Sequence, residues 1–275
     1  MFSAIILPVL LQVGPNPAVA TPFPVPEELI EQRRLNRERQ RPPLAIVEAD
    51  PVAACAARAD ADPAGALLRA QADLTGTSGI DRAIAGHCLA LALAAQEQWP
   101  DAAQAFAKAR ADLPRGNEAY AARLALAEAA AQQASGNAAQ ALAVLNGIAA
   151  PTEPRIAAAV AVDRARALVT LGRDDEAAQA LGAARTADPD NDEAWLLSAT
   201  LSRRQGQLDA AQQQIERAVI LRPAGPDIAL EAGVIAALAG RDDAALKSWR
   251  SVIETAPGTP AALTAAGYIA QVQGQ

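Results

Sequence analysis

One interval of 34 residues recurs in the second half of this 275-residue chain and limits what the chain can fold into. Glycine, proline, alanine and a bulky apolar residue all return at that interval. The four series are Gly172, Gly206 and Gly240; Pro189, Pro223 and Pro257; Ala177, Ala211 and Ala245; and Leu181, Ile215 and Trp249. Four independent series with one period are not expected by chance, so the interval predicts a repeated supersecondary unit.

The residue types predict that each unit is helical. Alanine dominates from about residue 46 onward, while Val, Ile, Thr and aromatic residues are sparse. Alanine has the best helix propensity, and strands favour the types that are missing. In each unit the glycine would open the turn between two helices, and the alanine would lie where they cross. The bulky residue would lie one turn further along the same face and fill the space between neighbouring pairs. The proline would end the second helix, and Asp190, Asn191 or Asp192 could cap the next one.

This pattern resembles the tetratricopeptide repeat family, whose 34-residue unit is a helix–turn–helix with small, large and proline positions in this order. The best copy runs from Asp192 to Pro223 and contains Trp195, Ala199, Gly206, Ala211, Ile215 and Ala218. Units from Ala158 and from Pro226 flank it. Two looser units begin at Ala83 and Ala122, with Glu97 in place of the turn glycine in the first and an early proline, Pro151, in the second.

The resemblance implies an all-α fold, an α-α superhelix of about five helix-turn-helix repeats. Pro260–Gln275 is predicted to form a closing helix with Leu263, Gly267 and Tyr268. Such repeats cannot bury their apolar faces alone, so neighbouring units stack, and the first helices of the pairs line an inner concave wall. That wall is the usual binding surface of the family.

The first twenty residues are typical of an export signal, because they carry no charged side chain. An apolar run from Phe2 to Leu11 is followed by Ala18-Val19-Ala20, the small-x-small pattern that precedes a cut. The run is too short to span a bilayer comfortably. We therefore predict a signal peptide over residues 1–20, cleaved after Ala20, and a periplasmic or secreted protein. The usual Lys or Arg is missing from the n-region, which leaves a misassigned start or a buried N-terminal segment as alternatives.

Residues 21–45 differ from the rest of the chain. Pro22, Pro24 and Pro26 favour an extended segment, and five arginines follow: Arg33, Arg34, Arg37, Arg39 and Arg41. This segment is either an arm for an acidic partner or an anionic lipid surface, or a solvated spacer. Prolines and glycines break residues 46–82 into short helical pieces. We predict that these pieces form a degenerate cap on a repeat domain of residues 83–275.

The two cysteines, Cys55 and Cys88, suit an exported protein. An even cysteine count in an oxidising compartment predicts a disulfide, which would tie an N-terminal helix to the next helical pair. Two unpaired core thiols are the alternative. A zinc site is disfavoured, since the cysteines and the only histidine, His87, fall short of four protein ligands.

Composition and motifs argue against an enzyme or a nucleic-acid binder. The formal net charge is −7, and only two lysines occur, whereas nucleic-acid binders carry a basic face. One histidine leaves one possible base for a catalytic triad, and no metalloprotease or phosphate-binding motif is present. Asp174-Asp175-Glu176 and Asp242-Asp243 follow turn glycines, where acids stabilise a helix N-terminus; a metal or acid–base site is the alternative. No cofactor is predicted.

The family register places particular side chains on the inner wall. Its predicted partner-binding residues are Arg123, Leu126, Val162, Arg166, Leu196, Thr200, Arg203, Leu230 and Val234, with His87, Leu91 and Ala130 in the same register. This wall is mostly apolar, and its arginines could pair with carboxylates of an extended or helical partner segment. Alternatively, several of these residues pack between helices. The lysine–asparagine clamp of chaperone-tail receptors is missing, because Leu, Val, Ala and Thr occupy its positions.

These observations predict a binding module, an adaptor whose groove recruits another protein during envelope assembly, secretion or cofactor attachment. A self-assembling structural protein, such as a homodimer formed through an uncovered end, is the second hypothesis. An enzyme with an unrecognised site around His87 is the third.

Overall fold

The computed structural model describes residues 51–274; the segments predicted as a signal peptide and as an arm, and the first residues of the predicted cap, lie outside them. The described residues form thirteen helices and no strand, which confirms the all-α prediction. In chain order these are α1 (Pro51–Ala61), α2 (Pro63–Asp73), α3 (Gly79–Ala95), α4 (Trp99–Ala111), α5 (Glu118–Ala134), α6 (Ala138–Asn146), α7 (Pro154–Thr170), α8 (Asp174–Ala187), α9 (Asp192–Arg204), α10 (Leu208–Leu221), α11 (Pro226–Leu238), α12 (Asp242–Thr255) and α13 (Pro260–Gln273). Helices α3 to α12 form the five predicted helix–turn–helix pairs.

Each pair turns through a residue with left-handed backbone. Gly136, Gly172, Gly206 and Gly240 have φ between 68° and 81°, a conformation that glycine adopts without steric cost. In the first pair Glu97 takes this place with φ of 57°. The N–H of the following residue donates to a carbonyl five residues earlier in every pair, for example from Gln98 to Leu93 at 3.0 Å. The first pair therefore has the same turn as the other pairs, although glutamate replaces glycine in it.

Replacing Glu97 by glycine is expected to stabilise the protein by about 0.5–1 kcal/mol, because a side chain in the left-handed region costs roughly 1–2 kcal/mol and the extra freedom of unfolded glycine offsets part of this. Chemical denaturation followed by circular dichroism measures the change. Gly206→Ala is the matched control: its new Cβ would meet no atom within 4 Å, so only backbone strain should lower its stability. If Glu97→Gly and Gly206→Ala both left the stability unchanged, the claim that a side chain is strained at this turn position would be wrong.

The repeated alanines lie inside each pair, and the bulky residues pack between neighbouring pairs, where Leu181 shares a cluster with Leu201 and Ile215 with Ile228. Ala177, Ala211 and Ala245 are 0% exposed, so the helices cross closely where a longer side chain would separate them. The bulky partners Leu181, Ile215 and Trp249 are also buried. The mechanical roles predicted from the 34-residue interval are therefore confirmed.

The predicted helix ends also lie at the repeated residues. Helices α8, α10 and α12 each stop two residues before Pro189, Pro223 and Pro257 respectively. Among the three candidates for the cap that follows, Asn191 is the N-cap of α9, and its side chain accepts a hydrogen bond from the Ala194 N–H at 2.8 Å.

The first helices of successive pairs contact one another. Helix α5 packs on α7, α7 on α9, α9 on α11 and α11 on α13, while the second helices of successive pairs stand farther apart. In a stack of helix pairs the more closely spaced row lies on the inside of the curve. The first helices therefore form the inner wall of the superhelix over the described residues, as the resemblance implies.

The closing helix α13 covers the open face of the last pair. Tyr268, Ile269 and Val272 pack against the cluster that contains Trp249, and the rings of Tyr268 and Trp249 lie 5.2 Å apart. Apolar surface that a sixth pair would otherwise cover is thereby removed from water.

At the other end, α1 and α2 pack on α3. The structure joins Cys55 of α1 to Cys88 of α3 by a disulfide, with Cα atoms 5.4 Å apart, a usual spacing for such a bond. The link runs from an N-terminal helix to the first helix pair, as predicted for a bonded pair of cysteines.

Candidate functional site

The inner wall brings most of the predicted partner-binding residues to one surface. Arg123 is exposed, and the others except Val162 are partly exposed: Leu126, Arg166, Leu196, Thr200, Arg203, Leu230 and Val234. The aliphatic members of this set also pack against the core clusters below them. Each of them therefore offers one edge of its side chain to a ligand and uses the rest for packing.

Val162 does not belong to this surface, so its prediction as a partner-binding residue is wrong. It is 2% exposed and lies in a core cluster with Ala161, Ala184 and Ala194. The last turn of α8 and the first turn of α9 close over it, so a partner cannot reach its side chain. Its place in the 34-residue register is right, but the wall at that level is already covered by the next pair.

The predicted arginines are joined to acids of the following repeat. Arg203 donates to Glu231 at 2.6 Å, Arg166 is hydrogen-bonded to Glu193, and Arg123 lies 4.0 Å from Glu153. Each pair joins one first helix to the start or body of the next first helix. The wall therefore carries three inter-repeat ion pairs rather than three uncompensated cations, and a partner carboxylate would have to compete with them.

Arg166 is held from a second side by its own helix. Its guanidinium donates to Asp163 at 2.8 Å, and that carboxylate is mostly buried. Burial raises the pKa of Asp163, while the hydrogen bond and the charge of Arg166 act in the opposite direction. The arginine is therefore fixed in place before any partner arrives, which reduces the entropy lost on binding.

A cavity of about 240 Å³ opens in the wall between α7 and α9. We call it the wall cavity. Its apolar floor is formed by Ala165, Val169, Leu181, Leu197 and Leu201, and its polar rim by Arg166, Thr170, Thr200 and Arg204. Such a concave apolar site with a few polar groups suits an inserted apolar side chain.

The wall cavity contains two predicted residues, Arg166 and Thr200, and seven that sequence reasoning missed. Six of the missed residues lie next to a predicted residue of α7 or α9 or one turn beyond it, and the seventh, Leu181, belongs to the bulky series on α8. Nothing in the sequence separates Val169, Leu197 and Leu201 from ordinary core residues. In the structure these three residues pack against the core and also line the wall cavity.

His87 is a structural residue. It is 9% exposed, its Nδ1 lies 3.0 Å from the Tyr120 hydroxyl, and its ring contacts the edge of Phe106. It lines neither the wall cavity nor the larger cavity described below. Of the other two residues in the predicted register, Leu91 is partly buried and Ala130 is exposed.

The acidic clusters occupy helix N-termini, as predicted. Asp174, Asp175 and Glu176 form the first turn of α8, and Asp242 and Asp243 begin α12. Within residues 51–274, no group of three or more His, Cys, Asp or Glu side chains has the arrangement of a metal site. No helix there is long and apolar enough to span a membrane.

Residues 168–229 match the tetratricopeptide repeat family in sequence. The matched segment begins in α7 and ends in α11, so it includes the best copy read from the sequence. No curated protein matches the chain significantly.

Solved structures show the same fold over longer stretches. PilW, described as a widely conserved type IV pilus biogenesis factor, superposes with a TM-score of 0.57 at 17% identity, over 67% of this chain and 82% of its own. A tetratricopeptide repeat protein from Parabacteroides merdae gives 0.54 at 14% identity, over 67% and 71%. The Cut9–Hcn1 structure of the APC/C gives 0.59 at 11% identity, over 90% of this chain and 46% of that one. At these identities the likeness establishes the superhelical fold.

Proposed function

Because this chain is a tetratricopeptide repeat protein in its fold and in the sequence of its residues 168–229, we propose that it is a non-catalytic adaptor that holds a segment of another protein against its inner wall. The wall cavity carries this proposal, since it is a concave apolar site on the surface that the first helices form.

The wall favours a partner segment that inserts an apolar side chain between α7 and α9. Val169, Leu197 and Leu201 would contact that side chain, and burying a Leu or Phe there would stabilise the complex by about 1.5–3 kcal/mol. Arg166 and Arg203 would contact the backbone carbonyls or carboxylates of the same segment through their guanidinium N–H groups. The acids already paired with these two arginines would repel a strongly acidic ligand and weaken its binding.

We further propose that the protein acts outside the cytoplasm, in envelope assembly, secretion or cofactor attachment. The predicted signal peptide and the disulfide between Cys55 and Cys88 support this location. The solved neighbour PilW is itself described as a pilus biogenesis factor, which is one example of such a role for this fold.

A pocket-filling variant tests the groove. Thr200→Trp would place an indole over the wall cavity, and affinity capture from a periplasmic extract should then recover about tenfold less of the partner. Gln213→Trp, at an exposed position of α10, is the matched control and should capture as much as the natural protein. Arg166→Glu and Arg203→Glu should weaken capture through the same surface. Equal capture by Thr200→Trp and Gln213→Trp would contradict the groove assignment.

Self-assembly, the second hypothesis, is disfavoured by α13, because this helix already covers the last pair. Light scattering of the chain with and without residues 260–275 separates the two proposals. A monomer that only loses stability on truncation supports the adaptor, whereas a natural dimer that dissociates on truncation supports assembly.

A further inference from the structure

The second helix of the second pair stops early, and a larger cavity opens where it ends. Helix α6 has nine residues, whereas α8, α10 and α12 have fourteen each. Five more residues would lengthen α6 by roughly 7 Å, since a helix rises about 1.5 Å per residue. A cavity of about 480 Å³ lies beside the loop that replaces them, residues 147–153. We call it the α6 cavity.

The other four pairs show what normally fills this space. Their second helices each bury one small residue completely near the end of the helix: Ala109, Ala184, Ala218 and Val252, all 0% exposed. Each of these residues follows the crossing alanine of its own helix by seven positions, so the equivalent residue after Ala141 is Ile148. Ile148 lies beyond the end of α6 and is only partly buried; it packs against the cluster of Ala122 and Ile156 and itself lines the α6 cavity. The second pair thus lacks the last helical turn that its four counterparts have.

The walls of the α6 cavity are apolar and its rim is acidic. Ala122 and Ala125 of α5 and Ile156 of α7 line it. At the rim, Arg110 is neutralised by a 2.7 Å ion pair with the buried Glu128. Glu118 accepts a hydrogen bond from the Gly116 N–H and has no ion pair within the described residues.

Glu153 is the second acid at this rim. It lies 4.0 Å from Arg123, both side chains are largely exposed, and solvent screens that pair. A ligand that brings a positive charge to this rim would therefore meet two carboxylates, those of Glu118 and Glu153, of which neither is strongly held elsewhere.

In three of the four counterparts, the helix end that fills the equivalent space combines a small residue with a basic neighbour; Val252 has none. Lys108 and Arg110 flank Ala109, Arg185 follows Ala184, and Arg217 precedes Ala218. The shape and the charge of the α6 cavity therefore match the same kind of helix end. No helix of this chain occupies it among residues 51–274.

We propose that the α6 cavity is a docking site for a helix of another protein. That helix would insert one small apolar side chain, Ala or Val, between α5 and α7, and would place a neighbouring Arg or Lys beside Glu118 and Glu153. The site completes the second repeat with a turn supplied by the partner. The α6 cavity shares no lining residue with the wall cavity. A test of helix docking at the α6 cavity can therefore fail or succeed independently of the proposed binding at the wall cavity.

The chain itself supplies the probe. A fluorescent peptide with the sequence of residues 208–222 carries the Arg217-Ala218 pair of α10, and a lactam bridge from Asp209 to a lysine at position 213 would keep it helical at two exposed positions. Fluorescence anisotropy against the full chain is expected to show saturable binding. The peptide with Ala218→Lys should bind about tenfold more weakly, because the charge cannot enter an apolar site.

Two variants of the protein locate the binding. Ala122→Leu fills the cavity from α5 and should weaken binding of the peptide about tenfold through overpacking, whereas Ala134→Leu, at an exposed position of the same helix, should not. Glu118→Lys reverses a charge at the rim; Glu118 is exposed at the start of α5, so circular dichroism should first show that the variant keeps its helices. The Glu118→Lys protein should bind the natural peptide more weakly and should bind a peptide with Arg217→Glu more tightly.

Three results would overturn the proposal. The first is no peptide binding up to about 1 mM, the range of the weakest specific complexes. The second is equal affinity of the peptide for the Ala122→Leu and Ala134→Leu proteins. The third is evidence for a different occupant of the cavity. That evidence would be anilinonaphthalene sulfonate binding to the natural chain but not to Ala122→Leu while the peptide binds neither. A homodimer in light scattering that Ala122→Leu dissociates would count in the same way.

Discussion

Gly233→Ala is expected to destabilise the last repeat by about 2 kcal/mol, although alanine is the better helix former by roughly 1 kcal/mol. Gly233 lies inside α11, where its backbone needs no glycine. An added Cβ would come 2.5 Å from Cδ1 and 2.7 Å from Cε2 of Trp249, and closer still to Nε1. The indole cannot move away easily, because it is buried, donates to the Leu230 carbonyl at 3.2 Å and stacks near Tyr268.

The neighbouring repeats explain this requirement. The residues equivalent to Gly233 are Ala165 and Ala199, and they face Leu181 and Ile215 where the last repeat has Trp249. Glycine therefore accompanies the largest side chain of the series, and alanine accompanies the smaller ones. The volume between the two helices stays filled in all three repeats by different pairs of residues.

A double mutant tests this compensation. Trp249→Leu alone should cost about 3 kcal/mol, because it leaves a cavity over Gly233. The Gly233→Ala/Trp249→Leu protein restores the Ala–Leu pair of the α7–α8 repeat, so its loss of stability should be smaller than the sum of the single losses by about 1–2 kcal/mol. Urea denaturation with hydrogen exchange on α11 to α13 gives the three values. Strictly additive losses would contradict the pairing of these two residues.

The 34-residue interval predicted the helix pairs because its glycines, alanines and prolines act within one pair. Gly206 sets a backbone angle, Ala211 sets a crossing distance, and Pro223 ends a helix, all through local geometry. Such roles repeat whenever the same residue type returns. The three regular units could therefore be read from the sequence alone, down to the positions of turns and crossings.

The site depended on contacts between pairs, which the interval does not encode. Arg203 meets Glu231 after 28 residues and Arg123 meets Glu153 after 30, so the ion-paired acids have no single spacing. Val162 is covered by the next repeat for the same reason. The early Pro151 did mark the second unit as irregular, but only the position of the end of α6 reveals that a cavity results.

Breaking the disulfide is expected to destabilise the N-terminal cap, formed by α1 and α2, by about 4 kcal/mol. Cys55 and Cys88 are 33 residues apart in the sequence, and a cross-link of that span lowers the entropy of the unfolded chain by an amount worth about 4 kcal/mol at 25 °C. The bond holds α1 on α3, and apart from it α1 contributes only a short helix with few buried residues, Cys55 and Ala59. The loss should therefore be local to α1 and α2.

Hydrogen exchange of the oxidised protein, of the reduced protein and of a Cys55→Ala/Cys88→Ala variant measures this effect by segment. Alanine is used instead of serine, because a serine hydroxyl would be buried at position 55, where the Cys55 side chain is almost fully covered. Amides of α1 and α2 should lose protection on reduction and in the variant, while those of α9 and α10 serve as internal controls and should not change, since each repeat contacts only its neighbours. Equal protection of α1 in the oxidised and reduced proteins would mean that packing alone holds this helix. Because such a bond persists only in an oxidising compartment, a large loss would also mean that the chain keeps its N-terminal cap only at the exported location proposed for it.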